Sequence, residues 1–198
     1  MQMALKVALL PSKVTWISAF KLRQAAHFLR CGEIIAYPTE AVYGLGCDPL
    51  NEDAIQRILD LKHRPVAKGM ILIAANFQQI EDYIAIDETI KKRITPTWPG
   101  PHTWVLPAQP WVPEYLTGNH KTIAVRITDH PIAVKICEYF GHAIVSTSDN
   151  PSGLKPPKTL LQLRKYFSPQ DLLLVSGTIG GLSQPTTIRN GVTGERLR

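Results

Sequence analysis

The sequence predicts an α/β fold, built as a single twisted, open, mixed sheet with flanking helices. Helical patterns alternate with short apolar runs along the chain. No internal repeat, low-complexity tract or linker interrupts this alternation. A chain of 198 residues can bury one sizeable core and is short for two. We therefore expect a single domain over residues 1–198.

Six segments have the apolar spacing of helices. The first follows Ser18, a favourable N-cap, and ends at Gly32. Its apolar positions are Phe20, Leu22, Ala25, Ala26 and Leu29. The second follows Asn51 and ends near Arg64, because Pro65 disfavours helix in the preceding residue. The others run from Asn76 to Ile84, over 88–94, over 131–140, and from the Thr159–Gln162 capping box to Phe167.

Seven short runs have the composition of strands, being apolar or alternating and bounded by turn residues. They are 33–37, 69–75, 102–106, 122–128, 143–147, 172–175 and 187–189. The run 122–128 alternates, so Ala124, Arg126 and Thr128 are expected on one face.

The charge of the chain indicates anionic partners. The formal net charge is +6 and the isoelectric point about 9.3, which suits nucleotide, phosphate or RNA. Mild basicity is also common without any such partner. The longest run of cations is Lys91–Arg93, so the sequence contains no basic arm.

The cysteines indicate a reducing compartment. Cys31, Cys47 and Cys137 are odd in number and lack C-x-x-C spacing, which argues against a disulfide framework or a zinc site. The apolar segment 1–11 is interrupted by Lys6 and is too short for a signal peptide or a membrane span. We expect a cytoplasmic protein with no membrane partner.

Several common site motifs are absent from the sequence. Gly44 and Gly46 begin a G-x-G-x-x-G pattern, but Pro49 occupies the third position, and no P-loop occurs. The sequence also lacks a G-x-S-x-G elbow, an H-E-x-x-H pair and any other metal-ligand spacing. A bound nucleotide would therefore have to be held by hydroxyls, side-chain cations and other backbone amides.

Two candidate sites lie at the ends of predicted elements. Thr39 and Glu40 follow the first strand, at the sheet edge where α/β proteins bind ligands. Lys62 and Arg64 lie at the end of the second helix and can form a two-cation clamp on phosphates. For each motif taken alone, the alternative is a structural role: an ordinary local turn for Thr39 and compensation of the helix dipole for the two cations.

Two further candidates combine hydroxyls and a cation with strands. The segment VSTSDNPSG (145–153) offers many donors to an anion, although an ordinary Ser/Asn turn has the same composition. Arg126 lies within an alternating strand. If it is not on a solvated face it needs a carboxylate or phosphate partner, which a ligand can supply. A plain surface arginine is the alternative.

Taken together, these segments resemble the YrdC/TsaC family of threonylcarbamoyl-AMP synthases. The matching stretches are IIAYPTEAVYGLGCDP (34–49), LKHRPVAKGMILIAA (61–75), WPGPHTWVLPA (98–108), IAVRITDHP (123–131), IVSTSDNPSG (144–153) and PTTIRN (185–190). They follow the family's order and cover the core 34–190. The length resembles the compact bacterial form, without the extra C-terminal domain of larger relatives.

The resemblance implies a single YrdC-like domain with a deep, basic cavity and a nucleotidyltransferase reaction. L-threonine, bicarbonate and ATP would give L-threonylcarbamoyladenylate and pyrophosphate. The TsaB, TsaD and TsaE proteins would then transfer the threonylcarbamoyl group to tRNA. Magnesium would accompany ATP as part of the substrate, with no organic cofactor and no metal held by protein ligands.

The resemblance also assigns residues. The implied catalytic set is Lys62, Arg64, Ser148 and Asn150. The implied ATP site comprises Lys62, Arg64, Lys68, Thr103, Ser146, Ser148, Asn150, Ser152 and Arg189. Thr39 and Arg126 would bind threonine, with Arg126 on its carboxylate. The chain departs from the family at Asp149, where alanine is usual, and at Thr186, where serine is usual.

Two other functions fit the same residues. A non-catalytic RNA- or tRNA-binding module would use a basic surface to contact the RNA backbone. A related carbamoyl-adenylate enzyme would act on another amine or on carbamoyl phosphate. The RNA-binding module predicts salt-sensitive RNA affinity. It does not require Lys62, Arg64, Ser148 and Asn150 to lie close together.

Overall fold

The computed structural model describes residues 17–148, 150, 154–168 and 170–198. The predicted site residue Ser152 and the unusual Asp149 lie outside these ranges. None of the described helices is both long and apolar enough to span a membrane.

Seven α-helices and nine strands occur among the described residues. The helices are α1 (Ala19–Arg30), α2 (Glu52–Lys62), α3 (Gln78–Glu81), α4 (Glu88–Ile94), α5 (Glu114–Thr117), α6 (Pro131–Phe140) and α7 (Leu160–Leu163). The strands are β1 (Ile35–Pro38), β2 (Tyr43–Gly46), β3 (Ile71–Ala74), β4 (His102–Pro107), β5 (Thr122–Ile127), β6 (Ile144–Val145), β7 (Thr147–Ser148), β8 (Leu173–Leu174) and β9 (Thr187–Asn190).

These strands form two mixed sheets rather than the one sheet expected. A four-stranded sheet has the order β7-β2-β1-β8, and a five-stranded sheet has the order β6-β3-β5-β4-β9. In each sheet parallel and antiparallel pairs occur together, as for β1 with β8 and with β2. The mixed α/β class is thus confirmed, and the hydrogen bonding divides the sheet in two.

The division occurs within the predicted strand 143–147. Ile144 and Val145 pair with β3 of the larger sheet, whereas Thr147 pairs with β2 of the smaller one. Between them, the Ser146 amide donates to the Ile71 carbonyl at 2.7 Å. The chain therefore crosses from one sheet to the other at Ser146 and joins both.

The sequence prediction missed the β1–β2 hairpin. After β1 the chain makes a tight turn, in which the Thr39 amide donates to the Val42 carbonyl at 3.0 Å. The chain then returns as β2, and Gly44 pairs with Tyr37. Thr39 and Glu40 thus lie at the tip of a hairpin.

Helix boundaries follow the predicted caps closely. The Ser18 hydroxyl accepts from the Lys21 amide, and the Asn51 side chain accepts from the Ala54 amide at 2.8 Å. Helix α2 ends at Lys62, where His63 adopts a left-handed conformation with φ of 49°. Three details were wrong: α7 ends four residues before the predicted Phe167, α3 ends at Glu81 rather than Ile84, and Phe20 is 67% exposed rather than on the buried face of α1. The short helix α5 was not predicted.

Two apolar clusters cover opposite faces of the larger sheet. Ile73 of β3 packs into the cluster that contains α1 and α6 residues, whereas Leu72 and Ala74 pack into the second, larger cluster. This alternation follows from the two-residue period of a strand. It leaves both faces of β3 covered and explains the continuous apolar run predicted there.

A stability difference is expected between two glycines of β2. A Cβ at Gly46 would lie 2.9 Å from the Val145 carbonyl oxygen and 2.8 Å from Tyr37 Cε1, whereas at Gly44 the nearest atoms are 3.3 Å away. Gly46→Ala should therefore lower the free energy of unfolding by about 1–3 kcal/mol, and Gly44→Ala by less. Urea denaturation measures both, and an equal loss would contradict this account of the close approach.

Candidate functional site: a cation-lined cavity between the sheets

A cavity of about 550 Å³ lies between the two sheets. Gly44 of β2 and Ser148 of β7 contribute from the smaller sheet, and Ile71 of β3, Val105 of β4 and Ile188 of β9 from the larger one. Its size falls within the range of small-molecule sites, about 300–1,000 Å³.

Strand β5 forms one wall through alternation. Thr122, Ala124 and Arg126 line the cavity. The intervening residues Ile123 and Val125 are buried in the apolar core. The predicted period of two therefore places Arg126 on the cavity face.

The described lining carries positive charge. Its lysine and arginine residues are Arg64, Lys68, Arg126 and Arg198, and no described lining residue is Asp or Glu. The hydroxyl groups of Thr39, Ser146 and Ser148 also line the cavity and are uncharged. Such a wall favours an anionic ligand.

Arg64 is a partly satisfied cation of this wall. Its Nη2 donates to the Gly69 carbonyl at 3.1 Å, while its buried Nε has no hydrogen-bond partner among the described residues. Burial lowers the pKa of the Arg64 guanidinium. Because an unsatisfied buried donor is costly, an anion at this position would stabilise it.

Lys62 departs from the predicted two-cation clamp. Its side chain is 4% exposed, and its Nζ donates to the backbone carbonyls of Ser148 and, at 2.6 Å, Asn150. It is not among the described residues that line the cavity. The last turn of α2 aims Lys62 at the segment following β7, so its charge holds that backbone while Arg64 faces the cavity.

The serine–asparagine segment is brought to the same place. Ser146 and Ser148 line the cavity. The Asn150 amide group donates to the Leu154 carbonyl at 2.6 Å, and Asn150 lies outside the described cavity wall. The predicted set of Lys62, Arg64, Ser148 and Asn150 therefore meets in one region, with different positions within it.

The partner of Arg126 is a carboxylate of the chain itself. Arg126 Nη2 and Glu40 Oε2 lie 3.2 Å apart, and Nη1 donates to the hydroxyls of Thr186 at 3.0 Å and Thr103 at 3.3 Å. The chain therefore supplies one carboxylate partner itself, and the predicted contact of Arg126 with a threonine carboxylate stays a prediction. Thr39, the other predicted threonine ligand, lines the cavity and donates its hydroxyl to the Val42 carbonyl at 2.7 Å.

The remaining predicted ATP ligands lie at different depths. Lys68 lines the cavity, whereas Thr103 is fully buried behind Arg126. Arg189 is not in the described wall: its Nη1 donates to the Gly194 carbonyl at 3.4 Å. Its neighbour Ile188 lines the cavity, and the alternation of β9 directs Arg189 to the other face.

Sequence reasoning missed Arg198 and the structural role of Thr186. The Arg198 guanidinium donates to the Thr186 carbonyl at 3.1 Å, and the Thr186 hydroxyl accepts from Arg126. Burial and then the charge of Arg126 lower the pKa of Arg198. No local motif marks Arg198, whereas the PTT stretch before β9 did flag Thr186.

The fold and cavity define an α/β domain with a cation-lined cavity between its sheets. The chain belongs to the Sua5/YciO/YrdC family, whose model, described as telomere recombination, matches residues 27–198.

The similarity extends over whole relatives. The Methylococcus capsulatus protein named threonylcarbamoyl-AMP synthase is 47% identical over 92% of this chain and 99% of its own length. A Pseudomonas putida protein of the same name is 49% identical over 92% and 98%. The structure of P. abyssi Sua5 complexed with L-threonine has 35% identity and a TM-score of 0.82; the match covers 88% of this chain and 52% of that longer one.

We expect Lys62 to stabilise the segment after β7. Lys62→Met should leave the Ser148 and Asn150 carbonyls without this donor and lower the free energy of unfolding by about 1–3 kcal/mol. Lys68→Met, which removes an exposed lysine of the cavity wall, is the matched control and should change stability little. Urea denaturation of both variants measures the difference, and equal losses would contradict this role.

Proposed function

We propose that this protein is a threonylcarbamoyl-AMP synthase. It joins L-threonine, bicarbonate and ATP into L-threonylcarbamoyladenylate and pyrophosphate, for threonylcarbamoyladenosine modification of tRNA. The observation that carries the proposal is the 47% identity to a relative of that name over 99% of its length. The cation-lined cavity of about 550 Å³ supports it, because it is large enough for a nucleotide-sized anion.

The reaction places specific demands on the cavity. The threonine amine attacks bicarbonate, and loss of water gives a carbamate. A carbamate oxygen then bonds to the α-phosphorus of ATP as the bond to pyrophosphate breaks, which accumulates negative charge on phosphate oxygens. The site must hold both reactants in line, stabilise that charge and exclude water from the labile carbamate.

The cavity offers suitable groups for the triphosphate. Arg64 and Lys68 supply positive charge, and Ser146 and Ser148 supply hydroxyl donors from the crossing segment. The unpartnered Nε of Arg64 is a ready donor to a phosphate oxygen. Lys62 contributes by fixing the backbone at Ser148 and Asn150.

Threonine is proposed to bind near Arg126 and Thr39. Both residues line the cavity, and Arg126 is the natural partner for a carboxylate. The P. abyssi Sua5 structure complexed with L-threonine, 35% identical to this chain, supports the amino-acid half of the proposal.

Magnesium is proposed to enter with ATP. Mg²⁺ takes oxygen ligands and is usually held by substrate phosphates together with one or two carboxylates. The described cavity wall provides hydroxyl oxygens but no carboxylate. The wall therefore fits a magnesium ion that is held mainly by the triphosphate. The ion would neutralise part of the triphosphate's negative charge.

The product is an unstable mixed anhydride, so its use requires prompt transfer. We include in the proposal that TsaB, TsaD and TsaE carry the threonylcarbamoyl group to tRNA, and that this occurs in the cytoplasm. The buried location of Cys47 and Cys137 is compatible with a reducing compartment.

Pyrophosphate release tests the reaction directly. Purified protein should release pyrophosphate from ATP only when L-threonine and bicarbonate are both present, because the carbamate is the nucleophile. A coupled pyrophosphate assay, with each substrate omitted in turn, measures this. Release without threonine, or none with all three, would refute the assignment.

Arg64 separates the enzyme from the RNA-binding alternative. Arg64→Ala should weaken ATP binding by about 10- to 100-fold, because it removes a charge-assisted donor from the cavity, and should change RNA binding little. Arg57→Ala on α2, the helix that precedes Arg64, is the control, since Arg57 is exposed and pairs with Glu33 at 3.0 Å. Calorimetry with ATP and filter binding with tRNA measure both. A large loss of RNA affinity with ATP affinity intact would favour the RNA-binding module.

A further inference from the structure

Two buried opposite charges meet at the end of the hairpin turn. The side chains of Arg126 and Glu40 are 6% and 5% exposed, and Arg126 Nη2 lies 3.2 Å from Glu40 Oε2. Glu40 Oε2 has no aligned hydrogen bond, so the contact is electrostatic. Either charge alone would be costly at this burial.

Glu40 is fixed independently of Arg126. Its Oε1 accepts a hydrogen bond from the Thr128 hydroxyl at 2.5 Å, and that hydroxyl in turn accepts from the His130 amide at 3.2 Å. The Glu40 carbonyl accepts from the Leu182 amide at 3.0 Å. The carboxylate is therefore a fixed reference point for the arginine.

Glu40 lies outside the described wall of the large cavity, which Arg126 lines. Arg126 lines the large cavity, whereas Glu40 is absent from its described wall and lines a separate cavity of about 240 Å³ together with His130. Burial lowers the pKa of His130, so the histidine is largely neutral near pH 7 and leaves Arg126 as the cation that faces Glu40. Arg126 thus lines the large cavity, while its counter-ion Glu40 lines the small one.

Of the other nitrogens of Arg126, one is already hydrogen-bonded and one is left for an anion. Nη1 is held by the hydroxyls of Thr186 and Thr103, while the buried Nε has no hydrogen-bond partner among the described residues. A carboxylate bound against the guanidinium would give this donor an acceptor. Three contacts therefore fix the guanidinium plane, and none of them uses the Nε donor.

We propose that Glu40 is a positioning residue for the amino-acid substrate: its carboxylate holds the Arg126 guanidinium in the orientation that receives the threonine carboxylate. This inference rests on the proposed function. Without Glu40 the guanidinium loses its fixed counter-ion and turns toward other acceptors, so binding must then reorient it. The loss of Glu40 should therefore weaken the binding of threonine and not that of ATP, because the cations proposed to bind ATP are Arg64 and Lys68.

Glu40→Gln tests the role with little change of shape, because the amide oxygen can still accept from Thr128. Calorimetry should show the dissociation constant for L-threonine rising by about tenfold or more, with that for ATP within about threefold of the wild type. The matched control is Glu33→Gln, which removes an exposed carboxylate paired with Arg57 and should leave both constants unchanged.

A double-mutant cycle separates positioning from a general structural effect. Arg126→Lys should itself weaken threonine binding, and adding Glu40→Gln to it should cost little more, because both changes disable the same contact. Additive losses, an equal loss of ATP affinity, or unchanged threonine affinity in Glu40→Gln would each overturn the proposal.

Two further measurements distinguish a folding defect from a loss of positioning, and failure of the positioning role from failure of the proposed function. If Glu40→Gln does not fold, Thr128→Val removes only the hydroxyl that holds Oε1 and should give the same threonine-selective loss, smaller in size. Wild-type protein that binds no threonine would refute the proposed function. Wild-type binding that is unchanged in these variants would refute the positioning role alone.

Discussion

The crossing of the chain between two sheets at Ser146 is the constraint on which the site depends. Val145 belongs to one sheet and Thr147 to the other, and the Ser146 amide is bonded to β3. The crossing holds the sheets at a separation that leaves a cavity and brings hydroxyl residues to its wall. Lys62 then secures the next residues through two carbonyls. A single segment thus connects the architecture to the candidate chemistry.

The cations near this cavity are held in three different ways. Lys62 is held by backbone carbonyls, Arg126 by a carboxylate and hydroxyls, and Arg64 by one carbonyl. In both arginines the buried Nε has no hydrogen-bond partner among the described residues. These differences follow from burial, since a buried charge must find partners within the protein. They are consistent with the distinct roles proposed above, namely that Lys62 fixes a loop, Arg126 receives a carboxylate and Arg64 contacts phosphate. A list of basic residues does not distinguish these roles.

Much of the candidate site was predictable because its segments carry local signals. The caps at Ser18 and Asn51, the stop before Pro65 and the alternation around Arg126 all reflect short-range preferences of the backbone. The joint order of the motifs predicted the family, and the comparisons confirmed it. The hairpin was missed because the four-residue strand β2 contains two glycines, which lower strand propensity. In the structure those glycines permit close approach to Val145 and Thr147.

The sequence alone determined the α/β class, most element boundaries and the segments that supply the site, since these depend on residue periodicity and capping within a few positions. Only the tertiary structure decided that the strands form two sheets, that Lys62 faces backbone while Arg64 faces the cavity, and that Glu40 pairs with Arg126 across 86 positions of the chain. Only the tertiary structure shows that Arg198 lines the cavity. These contacts join residues far apart in the chain, so their energies depend on distances and burial that no local pattern encodes.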